Sequence, residues 1–279
     1  MRVALAQVNA DGDREANLAN AGRLVREAAD RGAALVVLPE FFGLYGPAEV
    51  MRAAAEPLDG PTTEWASGLA AELGIDLVPG SFVERPADRP GLFNTSVHVG
   101  PDGRVRARYR KIHLFDATIP GAETRETDLF EHGDQAVVTV LADGTRLGMS
   151  VCFDIRFPEL YRALAVQADV LVCPAAFPMI TTRDHWPVLL RARAIENQAF
   201  MLGCSQVGAH DWDRVSGGRS MVCDPWGLIL AQASDTPGLV VCDLDFDRQR
   251  WVRGRLPALE GRRAFAPPAE RPREENVNA

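Results

Sequence analysis

Two stretches far apart in the chain share one plan, and this repetition limits the fold more than any other feature. Ala34-Leu35-Val36-Val37-Leu38-Pro39-Glu40-Phe41-Phe42 and Asp169-Val170-Leu171-Val172-Cys173-Pro174-Ala175-Ala176-Phe177 are each a continuous apolar run, then a proline, then aromatic residues. An apolar run that does not alternate with polar residues is a strand buried on both faces. Each follows a segment with apolar residues at helical spacing, Leu18, Ala21, Leu24, Val25 and Ala28 in the first case. The chain therefore reads as internally two-fold, with strand–helix–strand units in both halves.

The remaining segments fill in the same picture. After a first strand at residues 1–8 and a helix over 17–31, a second helix is predicted over 61–73, stopped by Gly74, with strands over 75–83, 95–99 and 105–109. Residues 137–141 and 147–153 read as a hairpin about Ala142-Asp143-Gly144, its second strand carrying Cys152. Pro158 opens a helix to residue 168. A further helix covers 186–198, with strands near 200–205, 220–223, 228–231 and 239–244. This mixture of βα units and hairpins predicts an α/β protein with one mixed sheet or two, helices outside, and the apolar faces of the sheets packed on each other.

With 279 residues, 47% of them hydrophobic, the apolar runs continue evenly enough for one large domain over residues 1–256. From residue 257 the chain turns to Arg, Glu, Pro and Ala and loses periodicity, so 257–279 reads as a tail, flexible or crossing to a second subunit through Leu256, Leu259 and Phe265. The net charge of −8 disfavours nucleic acid and anionic membranes as partners. The first apolar segment is soon interrupted by Asp11 and Asp13, unlike a signal peptide or a membrane span. Five cysteines, at 152, 173, 204, 223 and 242, form an odd set without a Cys-x-x-Cys pair, and no two of the five histidines have helical ligand spacing. We expect a reducing cytoplasm, no disulfide, no metal and no cofactor. Asn94-Thr95-Ser96 matches a glycosylation acceptor and reads as a chance occurrence within a strand.

The chemistry points to three segment ends. Glu40, Lys111 and Cys152 each stand where an apolar or strand-like stretch stops, and together they supply an acid, a cation and a thiol. A free thiol is only a few per cent ionised at neutral pH, so a nucleophilic cysteine needs a base or cation nearby. Glu40 would take the thiol proton, and Lys111 would hold charge on a substrate oxygen, with the backbone N–H of Phe153 as a second donor. Each such donor contributes about 3 kcal/mol. Singly, these residues have ordinary explanations: a cysteine in a buried strand is usually core, and a Glu or Lys at a strand end is usually solvated.

Their order and spacing carry more. Leu38-Pro39-Glu40-Phe41, Arg110-Lys111-Ile112-His113-Leu114-Phe115 and Val151-Cys152-Phe153-Asp154-Ile155-Arg156-Phe157-Pro158-Glu159-Leu160 resemble the three motifs of the nitrilase superfamily of carbon–nitrogen hydrolases. The likeness extends from Ala4-Leu5-Ala6-Gln7 to Ser220-Met221-Val222-Cys223-Asp224-Pro225-Trp226-Gly227. It implies a four-layer αββα sandwich of two mixed sheets, a homodimer or higher assembly, and a Glu40–Lys111–Cys152 triad. The implied reaction is attack of the thiolate on an amide carbonyl, loss of ammonia, and hydrolysis of the thioester by water. Many members add a second glutamate, whose place falls on Glu126; Glu123 is the nearest competitor, and Glu131 stands too close to the Gly133-Asp134 turn. The resemblance gives His113 a structural part, and the remaining cysteines are taken as core. Arg156 with Glu159 is read as an internal ion pair.

Within the superfamily, Lys111-Ile112-His113-Leu114-Phe115-Asp116 followed by Ile119-Pro120-Gly121 resembles the Nit-type branch of ω-amidases and deaminated-glutathione amidases. The implied substrate is a linear carboxamide with a carboxylate at its other end, an ω-amide of a dicarboxylic acid. Relatives often have Thr-Gly-x-Ala-His-Trp-Glu where this chain has Thr181-Thr182-Arg183-Asp184-His185-Trp186-Pro187. Phe41, Phe177, Thr181 and Arg183 are therefore expected to border the pocket, Arg183 pairing with a substrate carboxylate. Hydrolysis of an N-carbamoyl amino acid or amine would use the same triad, and a catalytically silent binding subunit would share only the fold.

Overall fold

A computed structural model describes residues 1–120 and 123–266. In chain order the first half comprises β1 (Arg2–Gln7), α1 (Arg14–Asp30), β2 (Leu35–Val37), α2 (Ala48–Ala53), α3 (Pro61–Leu73), β3 (Asp76–Val78), β4 (Phe82–Glu84), β5 (Phe93–Val99) and β6 (Val105–Arg110). Two short strands, β7 (Asp116–Ala117) and β8 (Thr124–Arg125), pair with each other. The second half comprises β9 (Val137–Val140), β10 (Arg146–Met149), α4 (Pro158–Leu164), β11 (Val170–Ala175), α5 (Met179–Thr182), α6 (Trp186–Asn197) and β12 (Phe200–Ser205). A small hairpin, β13 (Val207–Ala209) and β14 (Val215–Gly217), precedes β15 (Met221–Cys223), β16 (Ile229–Gln232), β17 (Gly238–Asp243) and α7 (Phe246–Arg255).

The strands form two mixed sheets. One runs β17-β1-β2-β3-β5-β4, with β6 also on β5; the other runs β16-β15-β12-β11-β10-β9. The two-fold plan is visible in the pairing. The parallel trio β1-β2-β3 is flanked by antiparallel β17 and β5, and the parallel trio β10-β11-β12 by antiparallel β9 and β15. The repeated runs are β2 and β11, the middle strand of each trio. The alternation of side chains then builds the layers. Val3, Leu5, Leu35, Val37, Val170, Val172 and Leu202 meet between the sheets. Ala4, Ala6 and Val36 face α1 and α3 on one outer side, and Leu171, Cys173 and Met201 face α4 and α6 on the other. The result is the αββα sandwich.

Several boundaries differ from expectation. The strand expected over 75–83 is broken into β3 and β4, because Gly80 turns with φ +61 directly against Pro39, where an added Cβ would stand 1.8 Å from the Pro39 carbonyl oxygen. α1 begins earlier than expected, at Arg14, capped by the Asp13 carboxylate, which accepts from Ala16 N at 3.1 Å. α4 ends at Leu164 rather than residue 168. The strand expected to carry Cys152 ends at Met149; Cys152 opens a short 3₁₀ turn, Cys152–Arg156. α2 and the two small hairpins carry too few periodic residues to be read from sequence.

Cys173, Cys204 and Cys223 are buried in the core as expected, whereas Cys242 on the edge strand β17 is only half-buried. Leu256 and Phe265 are exposed, and residues 267–279 of the tail lie outside the described residues. Among the described residues no helix is long and apolar enough to cross a membrane.

Candidate active site

Glu40 sits two residues beyond the Leu38 amide that extends β2 by donating to Val78 O at 2.9 Å. Its carboxylate is almost wholly buried and accepts three hydrogen bonds. Oε1 accepts from Asn94 Nδ2 at 2.7 Å and from Lys111 Nζ at 2.9 Å, and Oε2 accepts from Ala176 N at 2.8 Å. Ala176 follows β11, so the repeated strand of the second half helps orient the acid that follows its counterpart in the first. Phe41, next in the chain, holds φ +54, and its N–H donates to Ser81 Oγ.

Lys111 follows β6, and its N–H donates to Asn94 O at 2.9 Å. Its ammonium, with the side chain out of solvent, also donates to Glu126 Oε2 at 2.8 Å and lies 3.0 Å from Oε1. Glu126, in a single 3₁₀ turn after β8, is fixed further by Phe115 N, which donates to Oε2 at 2.8 Å. Burial alone would depress the lysine; Glu126 and Glu40 outweigh it and hold the ammonium well above the ordinary lysine range. Burial raises the Glu126 carboxyl, Lys111 draws it back, and Glu40 adds to the rise.

Cys152 is a non-glycine residue at φ +48, a conformation costing about 1–2 kcal/mol and retained where the surroundings enforce it. Asp154 enforces it here. Its buried carboxylate accepts from Val151 N at 2.9 Å, Tyr109 Oη at 2.6 Å and His113 N at 3.0 Å, and lies 2.7 Å from His113 Nδ1. The His113 ring stacks on Phe157 at 3.6 Å, so this histidine buttresses the turn. Burial pushes the Cys152 thiol well above the usual thiol range; Glu40 and Glu126 add to the rise and Lys111 opposes it. The resting thiol is thus neutral, and its proton needs an acceptor before sulfur can attack.

A cavity of about 510 Å³ opens on this cluster, walled by Glu40, Glu126 and Cys152 and by Phe41, Tyr45, Phe115, Trp212 and Arg214 among others. Of the four residues expected around the pocket, Phe41, Phe177, Thr181 and Arg183, only Phe41 borders it. The chain leaves the rim at Pro178 and coils into α5, so only Ala176 and Pro178 of this segment reach the cavity. Phe177 turns into the core against Trp186 at 4.9 Å, Thr181 is buried with its hydroxyl donating to Pro178 O, and Arg183 faces solvent. Of the competitors for the second glutamate, Glu123 lines the cavity, but the carboxylate on Lys111 is that of Glu126.

Arg156 is not ion-paired with Glu159 among the described residues. Its guanidinium lies over Phe177 at 5.2 Å and Phe153 at 5.6 Å, because the turn directs it back across the rings. Asn94, Asp154, Tyr45 and Arg214 escaped the sequence reading. Asp154 carried a signal, an acid two residues past the thiol in an otherwise apolar run; the other three are joined to the site only by folding.

A deep acid–lysine–thiol cluster at the strand ends of an αββα sandwich defines an amidase of the carbon–nitrogen hydrolase type. Residues 2–253 match the carbon–nitrogen hydrolase family, and the chain belongs to it. It is 41% identical to the human (Homo sapiens) deaminated glutathione amidase over 94% of this chain and 82% of that protein. With the human omega-amidase NIT2 it shares 36% identity over 94% of this chain and 95% of the relative. The solved structure of Saccharomyces cerevisiae Nit3, a nitrilase superfamily member, superimposes with a TM-score of 0.84 at 29% identity, covering 92% of this chain and 94% of the other.

Proposed function

We propose that the protein hydrolyses a linear carboxamide bearing a distal carboxylate, an ω-amide of a dicarboxylic acid, through a thioester on Cys152. The observation that carries this reading is the convergence of Glu40, Glu126 and Cys152 on one cavity, with the Lys111 ammonium held between the two glutamates. Glu40 accepts the thiol proton as sulfur attacks the amide carbon and returns it to the departing ammonia. It then activates the water that cleaves the thioester. An ammonium has three N–H donors; one serves Glu40, one serves both oxygens of Glu126, and the third is left for the substrate oxygen. The N–H of Phe153 completes the oxyanion site. Glu126 fixes the ammonium and preserves its charge.

Similarity to the human deaminated glutathione amidase and omega-amidase NIT2, and the presence of Arg125 and Arg214 at the cavity, support this substrate class. An ammonia-release screen over monoamides of short dicarboxylic acids, deaminated glutathione, N-carbamoyl amino acids and amines, and simple aliphatic amides tests it. The dicarboxylic monoamides are expected to give the highest kcat/KM. Preference for carbamoyl compounds would overturn the substrate assignment, and release from none of them would favour a silent binding subunit.

The same reading includes assembly into a homodimer. Val188 and Ile195 of α6, Trp226 and Leu228 before β16, and Trp251 and Leu256 at α7 are exposed apolar side chains. They adjoin one another: Arg191 Nε donates to Gly227 O, and the Trp226 and Trp251 rings lie 6.1 Å apart. Such a patch suits a second copy. Light scattering should give twice the monomer mass, and Trp226→Glu should reduce it. Five unpaired thiols accord with a cytoplasmic setting.

A further inference from the structure

A carboxylate at the far end of the substrate needs a partner, and Arg183 does not reach the cavity. Among the described residues, the arginines that border it are Arg125 and Arg214. Arg125 is largely exposed and is paired with Asp128 at 3.5 Å, so its charge is partly neutralised and well screened. Arg214 is held in place. Its carbonyl accepts from His210 N at 2.9 Å, closing the loop before β14, and its guanidinium lies 5.3 Å from the centre of the Trp212 ring. It donates to the Glu123 carbonyl on the neighbouring β7–β8 hairpin, which uses one of five N–H donors.

Tyr45 links this cation to the reacting end of the cavity. Its ring meets Trp212 edge-on at 5.2 Å and stacks on Phe41 at 5.7 Å. Burial and Glu40 raise the Tyr45 phenol, Arg214 opposes the rise, and Cys152 and Glu126 add to it, so one hydroxyl stands within electrostatic reach of both ends. The rest of the wall does not attract an anion: Glu40, Glu123, Glu126 and Asp128 all border the cavity. A carboxylate bound here must be recognised locally and directionally, not by a general positive field.

The geometry points to Arg214, braced by Trp212, as the residue that takes the substrate's distal carboxylate while the amide carbon lies at Cys152. This assignment rests on the substrate class proposed above and makes Arg214 a specificity residue of that site.

The test compares two amides that differ only at the far end, a short dicarboxylic monoamide and its methyl ester, in wild type, Arg214→Gln and Arg214→Lys. Arg214→Gln should lower the charged-to-neutral ratio of kcat/KM roughly 10- to 100-fold, mainly through KM. Arg214→Lys should recover part of the ratio, since it restores charge without the planar fork. An unchanged ratio, or an equal loss on both amides, would overturn the assignment; equal loss would mean that Arg214 only ties the two hairpins together. A second arm measures inhibition by the dicarboxylate product against whichever amide the wild type hydrolyses. There Arg214→Gln should raise Ki by a similar factor, and equal Ki values would overturn the assignment. Wild type that ignores the charged monoamide would sink the substrate reading alone, and the inhibition arm would still decide Arg214.

Discussion

The Lys111 ammonium lies 2.9 Å from Glu40 Oε1 with both side chains removed from water. Glu126 closes on the same nitrogen at 2.8 Å, so one cation bridges two carboxylates. Removing one member of such a set costs about 3–5 kcal/mol, because it leaves charge without a partner.

Lys111→Met should therefore destabilise the protein by about that amount at neutral pH, with kcat falling roughly 10²–10³-fold and KM changing far less. The loss should depend on pH. The raised Lys111 contributes stability that is fully present below 10.5, its ordinary value. In the variant Glu126 loses the ammonium that draws its carboxyl back against burial, so stability declines as pH rises above the ordinary glutamate value of 4.5. Urea unfolding of both proteins from pH 4.5 to 8 should show the gap widening with pH; a constant gap would contradict coupled burial of these charges.

Cys152→Ala should abolish ammonia release, by at least about 10⁴-fold, and rapid-quench mass spectrometry of the wild type should find the acyl group on Cys152. An acyl group on another cysteine would refute the nucleophile assignment. The backbone makes a second prediction. At φ +48 the usual preference for alanine over glycine, about 1 kcal/mol, should vanish. Cys152→Gly should unfold within about 0.5 kcal/mol of Cys152→Ala.

Asp154→Asn should lower kcat/KM more than His113→Ala does. The Asp154 carboxylate takes four contacts that shape the turn under Cys152, whereas the His113 ring supplies one of them. We expect a loss of about 10²-fold for the first and under about 10-fold for the second. His113→Ala as inactive as Cys152→Ala would make His113 a catalytic base and remove Glu40 from that role.

Glu84 clamps the strand that delivers Lys111. It accepts from Arg110 at 2.7 and 2.8 Å and from Thr95 Oγ1 at 2.6 Å. Burial would raise its carboxyl, but Arg110 and Thr95 outweigh burial and hold it below the ordinary 4.5. A depressed carboxyl contributes stability above its unfolded value and loses it as pH falls through the folded one. Glu84→Gln should cost about 3–5 kcal/mol at pH 7, and the difference from wild type should shrink below pH 4.5. Unfolding curves that stay parallel into acid would exclude this linkage.

Much of the site was legible because strand ends carry their residues with them. A buried strand is a continuous apolar run, and Glu40, Lys111 and Cys152 stand where such stretches stop; their resemblance to the carbon–nitrogen hydrolase motifs is what sets them apart from ordinary strand-end residues. The order of strands, helices and two-fold units follows from the same periodicity. Thr181, Arg183 and Phe177 misled because adjacency in sequence to a strand end says nothing of where a loop turns. Pro178 sends that segment into α5, and the rim is built instead from Tyr45, Trp212 and Arg214.

What the sequence by itself determined, then, is the alternation that makes two sheets with helices outside, and the residue types that an amide-cleaving site needs. Only the tertiary structure decided that both oxygens of Glu126 lie on the Lys111 ammonium, that Asn94 and Ala176 bind Glu40, and that Cys152 is bent into a left-handed conformation over Asp154. The physical reason is range. Periodicity and turn chemistry act over a few residues, whereas the fields and hydrogen bonds that define the site join groups such as Glu40 and Ala176, 136 residues apart, and these meet only when the sheets close on their common core.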